Sequence, residues 1–265
     1  MKPSVIPVLS RAKLKQFSKL QQKRKRDEEG LFLAEGLRTV RELCGSLPSE
    51  EMLVALLVRD DEVEAEAFVS GRMNKVFSIT ERDSAQLSQT STSQGVFGVF
   101  RQQPLKAPVG GKAEGSFLVA LDDVQDPGNV GTILRSAAWF GADALICTPG
   151  TADRYNPKAV RSCAGSIYSV RHYGVSRLVD ELGRLQEEGY SIACSSLEGK
   201  DFREFISWPD KLVLVIGNEA NGVSSEVESL ADRLIRIPHV GNKARVESLN
   251  AAVSAAILME RLALA

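Results

Sequence analysis

The chain of 265 residues has little of what metal and redox sites require. It contains four cysteines and two histidines, the cysteines are far apart, and no Cys-x-x-Cys pair occurs. We therefore expect no metal site, and scattered free thiols are typical of a reducing cytoplasm. The sequence also lacks an apolar run of membrane-spanning length and the apolar segment of a signal peptide. These absences predict a cytoplasmic protein without a membrane segment.

Nucleotide-binding signatures are missing as well. No Gly-x-Gly-x-x-Gly follows a strand-like segment, and the Gly-Lys pairs at 111–112 and 199–200 lack the rest of a P-loop. These absences disfavour an NTPase and a nucleotide-dependent dehydrogenase. With a net charge of −1, the molecule as a whole has no electrostatic signature of nucleic-acid binding.

Positive charge is nevertheless concentrated near the N-terminus, where no acidic residue interrupts the basic residues between Arg11 and Arg26. Leu14, Phe17 and Leu20 form an apolar stripe in the same stretch, which predicts an amphipathic basic helix. Such a helix can bind phosphate groups, although a lysine-rich helix is often only a solvated face.

A composition shift divides the chain into two predicted domains. Residues 104–116 are rich in proline and glycine without apolar periodicity, as in a linker. Residues 1–103 predict a small α/β domain. In the larger domain, 117–265, we expect strands at 117–121, 144–147, 190–194, 212–216 and 234–237, and helices at 127–140, 156–168, 176–188, 222–231 and 248–262. This alternation predicts an α/β fold with a mainly parallel sheet and helices on both faces.

The most informative motif is Asp126-Pro-Gly-Asn-x-Gly-x-x-x-Arg135, which follows the strand-like segment 117–121. Asp126 suits the N-cap position, and Pro127 suits the first turn of the helix that follows. Asn129 and Arg135 then present an amide and a fixed positive charge near the carboxyl end of a strand, where ligands bind in open α/β sheets. Taken alone, the motif could equally be a capped helix with a solvent-exposed arginine.

Two further polar turns belong to the same predicted edge of the sheet. Gly-Asn-Glu219-Ala-Asn-Gly follows the strand-like segment 212–216, and its carboxylate could simply favour a helix N-terminus. Ile-Pro-His239 is followed, after a loop, by Ser248-Leu-Asn250, in which Ser248 could simply cap the last helix. Together the three turns bring Asn, Arg, Glu, Ser and Asn side chains to one edge, where catalytic residues tend to collect.

These ordered motifs resemble those of the SpoU (TrmH-type) family of SPOUT RNA ribose 2′-O-methyltransferases. The resemblance covers the whole C-terminal domain, and Asn156-Pro-Lys-Ala-Val-Arg-Ser162 also fits it. The N-terminal part resembles, more loosely, the accessory substrate-binding domain of the family through Phe32-Leu-Ala-Glu-Gly36. The resemblance implies a C-terminal trefoil knot, S-adenosylmethionine bound within it, and a homodimer that packs through the last helix. The implied substrate is RNA, ribosomal RNA in preference to transfer RNA.

The resemblance also implies roles for individual residues. Arg135 would act at the 2′-hydroxyl, Asn129 would orient Arg135 or the ribose, and Glu219 would hold them in place. Ser248 and Asn250 would complete the catalytic set. The residues implied for the cofactor are Ser196, Leu197, Gly217, Asn218, Glu219, Ile237, His239, Ser248 and Leu249. Those implied for RNA are Lys19, Lys23, Arg24, Lys25 and Arg26.

Two departures from the family pattern lie beside the expected cofactor site. The chain carries Asn-Lys-Ala-Arg-Val between Gly241 and Glu247, and His239 stands where the family commonly has methionine. The segment between Gly241 and Glu247 is longer than the link usual in the family. This difference leaves open a function of another class, that of a knotted RNA-binding assembly factor that does not methylate. A tRNA ribose methyltransferase is a further alternative, whereas the pair of Asn129 and Arg135 disfavours methylation of a base.

Overall fold

The structure, a computed structural model, describes the following residues: 6–62, 68, 70–89, 93–103, 116–239 and 247–263. They form two compact units. The first contains residues up to Pro104 together with Asp153–Tyr168, and the second contains Leu105–Ala152 together with Ser169–Ala265. The predicted linker at 104–116 lies outside the described residues except for Ser116, so that boundary stays a prediction. No sequence pattern indicated that Asp153–Tyr168 would belong to the first unit.

Helices and strands alternate through both units, which confirms the predicted α/β class. The helices are α1 (Arg11–Ser18), α2 (Lys23–Glu29), α3 (Leu37–Gly45), α4 (Glu81–Leu87), α5 (Pro127–Trp139), α6 (Pro157–Cys163), α7 (Leu178–Glu187), α8 (Ser225–Glu228) and α9 (Ala251–Ala263). The strands are β1 (Leu31–Glu35), β2 (Leu53–Arg59), β3 (Val76–Ile79), β4 (Val96–Arg101), β5 (Phe117–Asp122), β6 (Ala144–Cys147), β7 (Arg171–Gly174), β8 (Ser191–Asp201), β9 (Leu212–Gly217) and β10 (Arg233–Arg236). Short 3₁₀ turns lie at Lys19–Gln21, Glu50–Met52, Ser70–Lys75, Ser166–Tyr168 and Phe202–Glu204.

The basic N-terminal segment is two helices rather than the single predicted helix. Leu14 and Phe17 of α1 are buried in the first unit, so the predicted apolar stripe packs as expected. Gln22 has extended dihedrals, φ −90° and ψ 128°, and the helical path is therefore interrupted before α2 begins. Helix α2 ends at Gly30, whose φ of +64° is a left-handed conformation that glycine adopts without steric cost.

The first unit is built on a mixed sheet in the order β1-β4-β2-β3, in which β4 pairs antiparallel with β1 and β2, and β2 pairs parallel with β3. The fully buried ring of Phe32 is the centre of an aromatic cluster. Ring centroids lie 5.5 Å away at Phe100, 4.8 Å at Tyr155 and 6.2 Å at Tyr168. The Tyr168 hydroxyl donates to the Arg101 carbonyl at 2.7 Å. Apolar packing and hydrogen bonding together explain why residues 153–168 belong to this unit.

The second unit contains a six-stranded parallel sheet in the order β10-β8-β9-β5-β6-β7. Alternate residues of its strands face α7 and α8, among them Leu118 and Ala120 of β5 and Val213 and Val215 of β9. In the same unit, α9 packs against α5 and β9. A parallel sheet of apolar strands must be covered in this way. The carboxyl ends of β5, β8 and β9 are thereby brought to one edge.

Several predicted elements differ from those observed. Strand β7 was not predicted, because Arg-His-Tyr-Gly is short and polar, as an edge strand can be. The helix expected at 156–168 ends at Cys163, since Ala164 and Gly165 both have positive φ. The helix expected at 222–231 is only Ser225–Glu228, and the last helix begins at Ala251. The knot stays a prediction, because residues 240–246 lie outside the described residues.

Three of the cysteines are buried in the cores of the two units. Burial raises the pKa of Cys44 and of Cys163 to about 11, and that of Cys194 to about 12. These thiols are therefore protonated at neutral pH and cannot act as thiolate nucleophiles.

In the described part of the chain, no group of His, Cys, Asp and Glu could hold a metal ion. No described helix is both long enough and apolar enough to cross a membrane.

The aromatic cluster predicts a large loss of stability when its central ring is removed. Phe32→Ala should lower the free energy of unfolding of the first unit by about 3–5 kcal/mol, because a fully buried ring is replaced by a cavity. Urea unfolding followed by tyrosine fluorescence measures this change. Ile206→Ala is the control, since Ile206 is 97 % exposed and should change stability by less than about 0.5 kcal/mol. Equal losses in the two variants would contradict the assignment of this core.

Candidate active site

The turn after β5 is held by two adjacent aspartates. Asp122 accepts a hydrogen bond from the Ser224 N–H at 2.8 Å. Asp123 has a φ of +56°, a left-handed conformation that is uncommon outside glycine. Its N–H donates to the Thr148 hydroxyl at 3.0 Å, and that hydroxyl donates back to its carboxylate at 2.5 Å. The Asn218 amide donates to the Asp123 carbonyl at 2.8 Å, so contacts from two loops fix this turn.

The same turn leads into α5 through the predicted cap. The Asp126 carboxylate accepts a hydrogen bond from the Asn129 N–H at 3.0 Å, and Pro127 occupies the first helical turn. The N-cap prediction for Asp126 is therefore confirmed. This cap fixes where the helix starts, and with it the direction in which the Asn129 side chain leaves the backbone.

Glu219 joins the turn after β9 to the start of α5. One carboxylate oxygen accepts the Gln125 N–H at 3.0 Å, and the other accepts the Asp126 N–H at 3.1 Å and the Asn129 side-chain amide at 2.9 Å. Partial burial by itself raises the pKa of Glu219, but these hydrogen bonds outweigh it and leave the pKa below its ordinary value. Glu219 is therefore ionised at neutral pH, and both of its oxygens are engaged.

Asn250 extends this arrangement to the start of the last helix. Its amide donates to the Asn129 side-chain oxygen at 3.0 Å, and its own oxygen accepts the N–H groups of Ala252 and Val253. Asn250, rather than Ser248, therefore caps α9. We call Asn129, Glu219 and Asn250 the amide–carboxylate cluster. It connects three segments that are distant in sequence, since its two hydrogen bonds span 90 and 121 residues.

The turn that carries Glu219 needs its glycine. A Cβ on Gly217 would overlap the backbone of Gly222 and Val223, so only glycine allows the two chain segments to approach this closely. The Asn218 oxygen accepts the N–H groups of Ala220 and Asn221 at 2.9 and 3.1 Å, which forms an Asx turn. Gly217 and Asn218, both predicted to bind a cofactor, are thus structural elements of the turn itself.

Arg135 follows Asn129 on the same helix and lies on the exposed side of α5. Thr132 and Trp139, one turn to either side, are also exposed, and Trp139 is 83 % exposed. Within the described residues, the Arg135 guanidinium forms no hydrogen bond or ion pair. The structure therefore brings three of the predicted catalytic residues together and leaves the cation of the fourth available for a ligand.

The remaining predicted cofactor residues lie in three segments. Ser196 and Leu197 belong to the last part of β8, Ile237 and His239 follow β10, and Ser248 and Leu249 precede α9. Leu197 is 56 % exposed and Leu249 is 47 % exposed, although both are large and apolar. None of these six side chains is hydrogen-bonded to the cluster in the described part of the chain. Their assignment to a cofactor stays a prediction, and the inserted residues 242–246 lie outside the described residues.

The residues predicted to contact RNA fall into two groups. Lys23 pairs with Asp27, whereas Arg24 and Lys25 pair with Glu28, all on the surface of α2. Lys19 is exposed and forms no ion pair with a described residue. The prediction for Arg26 is corrected, because its side chain is only 2 % exposed and is paired with Asp153.

Sequence reasoning missed the residues that hold the β5 turn. Asp122, Asp123 and Thr148 support the turn that leads to Asp126 and Asn129, yet none of the three was singled out. The available signal was the Asp-Asp pair that ends a buried strand, since consecutive acids in such a place require partners. The partner Thr148 could not be identified in advance, because it lies on the loop after another strand.

The hydrogen bonds to Glu219 predict a pH-dependent stability. Glu219→Gln should lower the free energy of unfolding by about 1 kcal/mol at neutral pH, since an amide cannot accept all three donors and the site is part-exposed. A carboxyl whose pKa is lowered by folding stabilises above its unfolded pKa and loses that effect as pH falls through the folded pKa. The gap between wild type and variant in urea unfolding should therefore close below about pH 4.

Glu187→Gln provides the control for this measurement. Glu187 is an exposed acid at the end of α7, and its substitution should leave stability unchanged at every pH. A gap between wild type and Glu219→Gln that persists undiminished at about pH 3 would show that the Glu219 charge is not what stabilises the cluster.

Comparison with protein families gives two matches along the chain. A model described as the SpoU rRNA Methylase family matches residues 116–260, and a model described as an MRM3-like substrate binding domain matches residues 11–98. The first match contains the whole amide–carboxylate cluster and Arg135. The second contains the basic segment, β1 and the aromatic residue Phe32.

Similar proteins span nearly the whole chain. The 23S rRNA (guanosine(2553)-2′-O)-methyltransferase RlmP of Bacillus subtilis is 32 % identical over 253 residues, which cover 94 % of this chain and 95 % of RlmP. An AdoMet-bound rRNA methyltransferase from Sinorhizobium meliloti has a TM-score of 0.79 and 29 % identity, with 97 % of this chain and 96 % of that chain covered. The SpoU methyltransferase AviRb of Streptomyces viridochromogenes, in complex with AdoMet, has a TM-score of 0.80 and 25 % identity, with 96 % and 98 % covered. The chain belongs to the SpoU rRNA methylase family.

Proposed function

We propose that this chain transfers a methyl group from S-adenosylmethionine to a ribose 2′-hydroxyl of ribosomal RNA. The observation that carries the proposal is the amide–carboxylate cluster, in which hydrogen bonds join all three family motifs. RlmP, a relative matched over nearly its full length, is named as an rRNA 2′-O-methyltransferase. The match of residues 11–98 to a substrate-binding domain supports RNA as the partner.

The segments around the cluster fit a cofactor with an apolar aromatic part. Leu197 and Leu249 are exposed apolar side chains, and covering them with an adenine would remove apolar surface from water. Backbone groups at Gly217 and Ile237 would hold the adenine and ribose. S-adenosylmethionine supplies a methyl group that is already electrophilic because its sulfur is a sulfonium. Two SpoU relatives have been solved with AdoMet bound.

The protein must then make a ribose hydroxyl nucleophilic. Glu219 is unsuited as the base, because its lowered pKa makes it weak and its oxygens already accept three hydrogen bonds. Arg135 cannot be a base either, since a guanidinium stays protonated. We assign Arg135 the binding of a substrate phosphate beside the 2′-hydroxyl, where its charge stabilises the alkoxide character that develops on the oxygen. The oxygen takes the methyl group as its bond to the sulfonium breaks, S-adenosylhomocysteine leaves, and the hydroxyl proton passes to water. Asn129 and Asn250 then orient the segments that carry substrate and cofactor, and Ser248 completes the catalytic set.

RNA would dock on the basic segment of the first unit. Lys23 and Arg24 are 65 % and 78 % exposed, and their ion pairs with Asp27 and Glu28 are surface pairs. Such pairs contribute between 0 and about 1 kcal/mol, so phosphate groups can replace the carboxylates. Lys19 and Lys25 add charge beside them, whereas Arg26 does not take part.

The second unit would form a homodimer through α9. Val253 and Ile257 of this helix are 48 % and 36 % exposed, and Trp139 of α5, the helix on which α9 packs, is 83 % exposed. Exposed apolar side chains on two packed helices are typical of an interface between protein chains. The second copy would cover this apolar surface.

Replacing Arg135 tests the catalytic assignment. Arg135→Ala should lower kcat for methyl transfer to rRNA by about 10²–10³, because a cation that stabilises developing negative charge is lost. Binding of S-adenosylmethionine, measured by calorimetric titration, should change little, since among the described residues Arg135 forms no hydrogen bond to the cluster. Arg177→Ala, which removes an exposed arginine of the same unit, is the control and should retain full activity. Wild-type turnover in Arg135→Ala would contradict the assignment.

The same titration separates the enzyme from the alternative of a non-methylating assembly factor. A wild-type protein that binds no donor at millimolar concentration would favour the assembly factor. A protein that binds donor and methylates tRNA in preference to rRNA would keep the reaction and change the substrate.

Neutralising the basic segment tests the RNA-docking surface. Replacing Lys19, Lys23, Arg24 and Lys25 by glutamine should weaken rRNA binding and reduce the slope of log Kd against log salt by about 1 for each phosphate that the protein no longer neutralises. Replacing an equal number of exposed arginines elsewhere, Arg38, Arg171, Arg177 and Arg203, should leave the slope nearer to that of the wild type. An unchanged slope in the first variant would place RNA docking on another surface.

A further inference from the structure

Arg26 is a buried cation whose hydrogen bonds tie together parts of the chain that are distant in sequence. Its Nε and Nη2 donate to one carboxylate oxygen of Asp153, at 3.2 and 2.5 Å. Its Nη1 donates to the carbonyls of Leu20 and Gln21, at 2.9 and 2.8 Å. The guanidinium therefore joins the two sides of the bend at Gln22 and connects both to Asp153.

Asp153 is equally committed to this arrangement. Its side chain is 13 % exposed, and its second oxygen accepts the Tyr155 N–H at 2.9 Å. The residues that follow are anchored in the same unit, because Arg154 donates to the Gln103 carbonyl at 2.6 Å and the Tyr155 hydroxyl accepts the Gln103 N–H at 2.7 Å. The start of the segment 153–168 is thus fixed by the Arg26 side chain and by the Gln103 backbone, both in the first unit.

The residues just before Asp153 are fixed in the second unit, by the end of β5 and the turn that follows it. Ala152 donates its N–H to the Val124 carbonyl at 2.9 Å, and the Thr151 hydroxyl donates to the Leu121 carbonyl at 3.1 Å. Gln125, the residue after Val124, donates its N–H to Glu219 of the amide–carboxylate cluster. One peptide bond, between Ala152 and Asp153, therefore separates a residue held by Arg26 from a residue held by the turn that supports Asn129.

We propose that Arg26 and Asp153 form a positioning pair that couples RNA docking on α2 to the turn 123–126 at the methyltransferase site. The inference rests on the proposed function, since it assigns RNA to α2 and chemistry to Asn129 and Arg135. Helix α2 presents Lys23 and Arg24 to solvent and buries Arg26. Phosphates that bind Lys23 and Arg24 therefore restrain the same helix that holds Asp153 through Arg26.

The chemistry of the pair favours positioning over stability alone. Burying two charges carries a desolvation penalty, and an apolar pair of similar volume often stabilises a protein as well or better. What an apolar pair cannot supply is direction. A forked guanidinium fixes the angle and distance of a carboxylate, and here it also fixes two backbone carbonyls.

Steady-state methylation kinetics with three variants tests the pair. Asp153→Asn should lower kcat at saturating RNA and donor by at least about tenfold, with the KM for RNA and the Kd for S-adenosylmethionine changed by less than about threefold. Arg26→Met/Asp153→Asn should regain thermal stability relative to Asp153→Asn, because no unpaired charge is left buried, yet its kcat should stay low. Glu181→Gln, which removes a carboxylate of similar burial from an arginine pair on α7, should retain wild-type kcat.

A kcat that recovers together with stability in the double variant would show a purely structural role and overturn the proposal. So would a folded Asp153→Asn protein with wild-type kcat. A KM for RNA that rises while kcat stays constant would also overturn it, since it would place the pair in RNA binding alone.

Hydrogen exchange of the free protein tests the coupling without reference to activity. Asp153→Asn should accelerate exchange of the Ala152, Gln125 and Asp126 amides by about tenfold, and Glu181→Gln should not. Acceleration confined to α2 and residues 153–168 would overturn the coupling. If the wild-type protein transfers no methyl group, the proposed function fails, and the exchange result still decides whether Arg26 and Asp153 position the turn.

Discussion

Glu219 accepts hydrogen bonds from three N–H groups of the β5 turn and the start of α5, and the site depends on this one carboxylate. The acid lies after β9, whereas its donors follow β5, the neighbouring strand of the parallel sheet. Because the two strands are parallel neighbours, their carboxyl ends lie side by side, and the donors that follow β5 reach the acid that follows β9. The Asn129 side-chain oxygen in turn accepts a hydrogen bond from Asn250, which caps α9. A single charged group thus holds two turns and a helix start in one arrangement.

The residues that hold the site together differ from the residue to which the chemistry is assigned. Side chains of the amide–carboxylate cluster satisfy one another, so they need no ligand to hold their positions. Arg135 is the opposite case, an exposed cation without a partner among the described residues. In the proposed reaction, this fixed positive charge stabilises negative charge that develops on the substrate. The division explains why Arg135 is assigned the chemistry and Glu219 the geometry.

Local signals predicted much of the fold. The cap at Asp126, the apolar strands and the alternation of helices all depend on residues near in sequence, and the structure confirms them. The three motifs of the site were placed on the correct strands for the same reason. The contacts among Asn129, Glu219 and Asn250 came only from the resemblance to a family, because spacing along the chain does not specify which side chains meet.

Features that depend on distant partners were not predictable. Arg26 belongs to a run of basic residues that is typical of RNA-binding surfaces. Its burial could not be predicted, because its partner Asp153 lies 127 residues later in the sequence. The same guanidinium stabilises the bend at Gln22. Because this contact cannot be inferred from the sequence, the segment was predicted as one continuous helix. Strand β7 is short, and only its pairing with β6 makes it a strand. In each case a long-range contact overrides a local pattern.

The central claim is that this site methylates a sugar hydroxyl of ribosomal RNA. The most direct measurement supplies the protein with S-adenosylmethionine that carries a deuterated methyl group and with unmodified rRNA, and then analyses the digested nucleosides by mass spectrometry. The account predicts the label on the ribose of one nucleoside, as a 2′-O-methyl group. Label on a base, or no label in RNA despite bound donor, would contradict it.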